Sequence, residues 1–471
     1  MKAQIALNLK KYLVWVLATF LLIWLLVALS FYQQIDSWKA YLALQMETGK
    51  MLAKHPFTWF LAHIPYGLRF FFISFRTVYQ KRGKLVLAKR FSAIVLLPVV
   101  FGFVGLQYAD WYTQEKDFEY AWDYSVENAA GISNELFKKD GKIRGVHYFG
   151  SRRNETDIMG PITKNNIEWV VLVPYGYQPD YNSPDIRISR SRPGDQNRPS
   201  QESRYIRLIK EAKAQNIGVM IKPHIWLGST DGGKWRSDID MKTDAEWETW
   251  KANYKEFILF YAKISEAEGL PFFCIGAELH NVVKEQPAFW KDLIKDVRKV
   301  YSGKLTFGAN WYLEYEDVTF WDDLDYIGIQ AYFPLTKKEN PGVDELVKGW
   351  KPHLKKIEAL SKKHNKPILF TEIGYKSSCD AAIEPWAWVN TLSGLYEKVS
   401  TETQANCYEA FFKVFWDKDW FAGALFWEWK GYDGASDHHQ QLNFTPYNKP
   451  ASNVMAKWFG RVGKEVTLMK E

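Results

Sequence analysis

An eight-stranded parallel α/β barrel of the (β/α)8, or TIM, type, preceded by an N-terminal transmembrane module, is the architecture the sequence predicts. Three observations carry it. Charge-free apolar runs of membrane-crossing length are confined to the first quarter of the chain, strand-like and helix-like patterns alternate from about Gly141 onward, and two of the strand patterns end on a glutamate where the chain turns. The 471 residues leave room for a barrel of about 250 residues with a separate module in front of it. The expected boundaries are residues 1–115 for the membrane module, 116–140 for a linker and 141–465 for the barrel.

In the first module, Tyr12 to Phe31 runs twenty residues without a charge, the length needed to cross about 30 Å of hydrocarbon. It is followed by no small-residue cleavage site, so it predicts a retained span rather than a signal peptide. Phe91 to Tyr108 predicts a second span, with Pro98 tolerable inside a membrane helix. Phe57 to Phe75 carries His63, Pro65 and Arg69, and is either a third span or a helix lying in the interface. Lys81, Arg82, Lys84, Lys89 and Arg90 precede the second span and Asp110, Glu115, Asp117 and Glu119 follow it. By the positive-inside rule the chain after about residue 110 then lies on the extracytoplasmic side of a bacterial-type inner membrane, with two spans or with three.

The barrel pattern begins with strands at Ile143–Phe149 and Ile167–Tyr177, then an Arg-, Pro- and Ser-rich insertion, a short helix at Tyr205–Gln215 and a third strand at Gly218–Trp226. Thr243 and Glu246 have capping-box spacing and open a long helix whose apolar face holds Trp247, Trp250, Tyr254, Phe257, Ile258 and Tyr261. The fourth strand, Pro271–Asn281, carries Glu278. Helix Pro287–Tyr301 leads to strands at Leu305–Trp311 and Leu324–Phe333. Glu345–His364 is a basic amphipathic helix whose lysines read as a solvated face. The seventh strand, Pro367–Tyr375, carries Glu372; after a helix at Thr403–Lys418 comes the eighth, Ala422–Trp429, and a last helix at Pro450–Arg461.

Composition narrows the function. The net charge of +7 arises from basic residues near the N-terminus, and no basic block interleaved with aromatics recurs, which argues against nucleic acid as partner. Cys274, Cys379 and Cys407 form no paired spacing and no disulfide framework. Aromatics make up 17% of the chain, more than a core requires, and flat rings are what sugars stack on.

In a barrel of this type the site lies at the C-terminal ends of the strands. Those ends hold His147, Tyr175, Lys222, His224, Trp226, Glu278, Asn310, Trp311, Tyr332, Glu372, Trp427, Glu428 and Trp429. No metal triad is among them: His147 and His224 come from different strands, which favours substrate contact or a core hydrogen bond, and His438-His439 reads as loop. Splitting a glycosidic bond requires one protonated carboxyl and one ionised carboxylate, about 5 to 5.5 Å apart when configuration is retained. Glutamates on the fourth and seventh strands can reach one sugar from two sides. The competing reading makes each a strand-end ion-pair partner, of Lys222 or Arg144.

The segments FCIGAEL, GKLTFGANW, LDYIGIQAYFPL, KPILFTEIGY and the Trp-rich last strand closely resemble glycoside hydrolase family 113, within clan A of the retaining glycosidases, over about residues 140 to 462. The resemblance implies a retaining β-glycosidase that needs no cofactor and acts on β-1,4-mannan or a manno-oligosaccharide. It implies Glu278 as acid/base, Glu372 as nucleophile, Tyr332 as the group orienting the nucleophile, and Trp427 or Trp429 as the sugar platform. Many clan A families have Asn directly before the acid/base, bonding the sugar 2-hydroxyl. Here that residue is Ala277, so the contact is expected from Asn310 or His224. Lys222 and Trp226 complete the expected substrate-binding set. The expectation is therefore a membrane-anchored, endo-acting glycoside hydrolase whose partners are a saccharide and the bilayer. Its alternatives are a catalytically silent glycan-binding barrel and, with Lys222 as a Schiff-base lysine, a barrel lyase or aldolase.

Overall fold

The computed structural model describes residues 2–31, 56–91, 97–115, 118–128, 136–150, 159–188, 201–389, 397–430 and 441–466. His438 and His439 lie outside them. The chain divides into two compact units, Met1–Gln107 and Tyr108–Glu471.

The first unit is helical, with helices Lys2–Phe31 and Pro56–Phe91 and most of Leu97–Thr113. Among the described residues no helix is long and apolar enough to cross a membrane, so the expected spans are not supported. The first helix, Lys2–Phe31, contains the whole of the expected span Tyr12–Phe31. The second is interrupted by Arg69, Arg76, Lys81 and the basic residues after them. The third has 17 residues, about 25 Å against a hydrocarbon core of about 30 Å, and the expected span at Phe91–Tyr108 falls partly on residues 92–96, outside the described set. The helices nevertheless leave apolar side chains in the open, Leu22, Phe72 and Phe101 being 55%, 69% and 71% exposed.

The second unit is a closed barrel of eight parallel strands. Its strands are β1 (Ile143–Tyr148), β2 (Trp169–Leu172), β5 (Gly218–Ile221), β7 (Phe272–Ala277), β8 (Lys304–Asn310), β9 (Ile327–Gln330), β10 (Ile368–Ile373) and β11 (Phe421–Trp429). Each pairs with the next in chain order, and β11 closes on β1 with Ile143 beside Gly423. Two expected strands prove to be double. Pro174 and Pro223 each follow a barrel strand and supply no N–H, so the ladder ends. The chain continues as β3 (Tyr175–Gln178) and β6 (His224–Leu227), which pair with each other and, through β3, with β4 (Arg187–Ile188) in a small separate sheet.

The helices pack their apolar faces on the outside of the barrel, as the periodicity requires. Asp244–Ala267 starts at Thr243, whose hydroxyl accepts from the Glu246 N–H at 3.2 Å, and buries Trp250, Tyr254, Phe257 and Tyr261. The fully buried Arg144 of β1 closes one side of the barrel: its guanidinium donates to both oxygens of Asp140, at 3.0 and 2.6 Å, and to the carbonyls of Phe459 and Arg461. Burial opposes a charge on Asp140, but the hydrogen bonds and charge of Arg144 hold its carboxyl below the usual carboxylate range. The contribution is therefore present above the ordinary aspartate pKa and is lost as pH falls through the lowered one. Asp140→Ala, which removes both short bonds to the guanidinium and leaves it only Glu168 at 3.8 Å as a carboxylate partner, is expected to cost about 3 kcal/mol, read as an earlier urea midpoint at pH 7.

Part of the stretch before β1 is seated on the barrel. Asn453, in helix Pro450–Phe459, accepts from the Tyr120 hydroxyl and the Asp123 N–H and donates to the Asp123 carbonyl, at 3.1, 3.1 and 2.8 Å. Glu115 accepts from the Glu402 N–H and the Thr401 hydroxyl at the start of helix Thr401–Phe415, and Thr113 accepts from the Val399 N–H.

Candidate active site

β7 delivers Glu278 and β10 delivers Glu372 to the wall of one cavity of about 640 Å³. Their surroundings are opposite in character. Glu372 Oε1 accepts from the Lys222 ammonium at 2.5 Å and from the Gln330 amide at 3.1 Å, and Oε2 accepts from the Tyr332 hydroxyl at 2.8 Å. The parallel register that sets Glu372 beside Gln330 brings this about, since Tyr332 follows two residues after the end of β9. Lys222 is fully buried and spends its other donors on the Thr371 carbonyl and on His147 Nε2.

Two imidazoles flank this pair and both are neutral. Burial, then the charge of Lys222, pushes His147 and His224 well below the ordinary histidine value. The His147 Nδ1–H faces the Phe426 carbonyl at 3.3 Å, leaving Nε2 to accept from Lys222. His224 Nδ1 accepts from the Arg236 guanidinium at 2.7 Å, so its proton is on Nε2. That Nε2 is buried, 3.6 Å from Glu372 Oε1, with no hydrogen-bond partner among the described residues.

Glu278 follows the last residue of β7 in the left-handed region, φ +55°, a conformation that costs a non-glycine residue about 1–2 kcal/mol. Its N–H is tied to the Gly308 carbonyl at 3.0 Å. Its carboxyl accepts from the Trp235 indole N–H at 3.2 Å, lies 3.5 Å from Arg236 Nε and takes a long 3.4 Å contact from the Asn310 amide. Burial raises its pKa above the usual glutamate range, and the charge of Glu372 adds to this against the opposing charge of Arg236.

Rings form the rest of the wall. Trp311 stacks on Trp386 at 4.9 Å, and Trp388 stands edge-on to Trp427 at 6.1 Å and beside Phe444. Of the residues singled out by sequence, Glu278, Glu372, His224, Asn310, Trp311, Tyr332 and Trp427 line this cavity. Lys222 is not in its wall; it lies beneath Glu372. Trp429 is fully buried with its ring on Tyr447, also away from the wall. Trp226 is 46% exposed on the small sheet, in register with the equally exposed Tyr177 and edge-on to Trp235. Trp235 and Arg236 were missed because they sit in a loop beyond β6; the GGKWR run at residues 232–236, rich in glycine and ending in two large side chains, was the available signal. Among the described residues no cluster of His, Cys, Asp or Glu could hold a metal ion.

A barrel with one charge-paired glutamate and one whose pKa is raised by burial, both lining a cavity walled by rings, has the equipment of a glycoside hydrolase, and comparison with known proteins supports that class. The family model of Glycoside Hydrolase Family 113 matches residues 147–449, and the chain belongs to that family. Among solved structures it is similar to a GH113 β-1,4-mannanase, at 24% identity and a TM-score of 0.55 over 68% of this chain and 98% of that one. It is also similar to the GH113 β-mannanase of Alicyclobacillus acidocaldarius, at 25% identity and a TM-score of 0.55 over 68% and 97%. A search of curated proteins gives no match.

Proposed function

We propose that the protein is a retaining endo-β-1,4-mannanase that works by double displacement with Glu372 as nucleophile and Glu278 as acid/base. The observation that carries this is the contrast between the two carboxyls of one cavity: one held by an ammonium, an amide and a phenol, the other touched by an indole N–H and raised in pKa by burial. The sugar assignment is supported by family membership and by the two mannanase structures.

In the first step Glu372 attacks the anomeric carbon while Glu278 gives its proton to the leaving oxygen. Oε1 is saturated by Lys222 and Gln330, so Oε2, with the single bond from Tyr332, is the attacking oxygen. In the second step Glu278, now ionised, takes a proton from water, which displaces the Glu372 ester and restores the starting configuration. The His224 Nε2–H is a free donor for a sugar hydroxyl, and Trp427 is the ring platform beside it. Trp226 and Tyr177 continue the aromatic surface past Trp235 on the side of the acid, which suits a leaving group several sugars long.

Proton NMR during hydrolysis of β-1,4-mannopentaose is expected to show the β-anomer of the newly freed reducing end first. Initial appearance of the α-anomer would rule out retention, and no cleavage of mannopentaose alongside cleavage of a glucan would rule out the sugar assignment. Attachment of the N-terminal helices to a lipid surface belongs to the same proposal, supported by the exposed Leu22, Phe72 and Phe101. The protein is expected to sediment with membranes after a high-salt wash; recovery in the supernatant would end that part.

A further inference from the structure

Glu314 opens the helical turn Glu314–Asp317 that follows β8, and it is fully buried. Among the described residues neither oxygen of its carboxyl is paired with a cation. Oε1 accepts from the Leu279 N–H at 2.8 Å and Oε2 from the Asn310 N–H at 2.6 Å. These two amides belong to the residue that follows Glu278 and to the residue whose side chain approaches the Glu278 carboxyl. One buried carboxyl thus staples the exit of β7 to the exit of β8.

The backbone shows why a staple is needed there. Glu278 stands at φ +55° and Leu313, directly before Glu314, at φ +63°, so non-glycine residues occupy the left-handed region on both sides of the link. With its own N–H on Gly308 and the next one on Glu314, the turn at Glu278 is held at two successive amides. Only a carboxyl offers an acceptor to each of two diverging N–H groups. An amide of the same shape would present N–H to one of them. Burial lifts the Glu314 carboxyl to about 8 and the nearby charge of Glu278 adds to this, while the two N–H groups oppose it.

We infer that Glu314 is a positioning residue for proton transfer, holding the strained turn that aims the Glu278 carboxyl at the leaving-group oxygen. This rests on the glycosidase reading above, and the test separates the two. Full-length wild type and Glu314→Gln are assayed on mannopentaose, and on 2,4-dinitrophenyl β-mannobioside with azide as acceptor. Dinitrophenolate departs without a proton and azide attacks without a base, so this second reaction bypasses Glu278. For Glu314→Gln the expected loss of kcat/KM is about 100-fold on mannopentaose, the scale of a displaced catalytic group, and within about threefold on the activated substrate with azide. Equal losses on both substrates, or no loss on mannopentaose, would overturn the inference.

A second measurement is independent of turnover. Amide hydrogen exchange is expected to speed up at Leu279 and Asn310 in the variant, and unchanged protection there would refute the staple. Wild type inactive on both substrates would defeat the glycosidase reading, while the exchange data would still decide whether Glu314 holds the turn.

Discussion

Glu372→Ala is expected to lower turnover of mannopentaose by about 10⁴-fold or more, the scale at which a covalent nucleophile is lost. The substitution empties a space bounded by the Lys222 ammonium, the Gln330 amide and the Tyr332 hydroxyl, three donors that were occupied by carboxylate oxygens. A small anion fits that vacancy by charge and by hydrogen bonding, so azide is expected to restore part of the activity on a dinitrophenyl β-glycoside. The product should be the α-glycosyl azide, because azide then attacks from the face Glu372 used. Activity like that of wild type without azide would remove Glu372 from its role. Stranding the buried ammonium also costs stability, about 3–5 kcal/mol. The rescue is therefore best measured well below the unfolding temperature.

Glu278→Ala should give a different signature. Turnover of mannopentaose is expected to fall by about 10²–10⁴-fold, the usual worth of general acid–base catalysis. Formation of the glycosyl-enzyme from a dinitrophenyl glycoside should be nearly spared. Azide should here yield the β-glycosyl azide, since it replaces water in the second step. The pH profile supplies an independent check. Burial raises the Glu278 pKa, so the protonated acid is present below that value and is lost as pH rises through it. The alkaline limb of kcat/KM belongs to Glu278 and should vanish in the alanine variant; its survival would point to another acid.

Much of the barrel could be read from the chain because parallel strands buried on both faces are short apolar runs, and those at Phe272–Ala277, Ile368–Ile373 and Phe421–Trp429 were located within a few residues. The second and third strands were read too long because their apolar patterns continue past Pro174 and Pro223, and only the missing amide marks where each leaves the barrel. The two glutamates could be found because strand ends are where this fold displays side chains. Depth could not. Nothing in the spacing of Lys222 distinguishes an ammonium facing a sugar from one lying beneath a carboxylate. Trp427 and Trp429 likewise differ in the sequence only by position. Trp235, Arg236 and Glu314 come from the short connections that follow β6 and β8, whose paths depend on contacts such as the Arg236–His224 bond that no local pattern encodes. The N-terminal helices could be placed from hydropathy, but among the described residues none is long and apolar enough to cross a membrane.

The docking of Tyr120 and Asp123 on Asn453, and of Glu115 at the start of helix Thr401–Phe415, bears on how the enzyme should be produced. A recombinant version trimmed to the first barrel strand would discard those partners. It would leave the amide of Asn453 and the first turn of the 401–415 helix to water. A truncation starting at Tyr108 keeps both seams intact, and is the shorter boundary from which crystals and kinetics of the hydrolase should be sought.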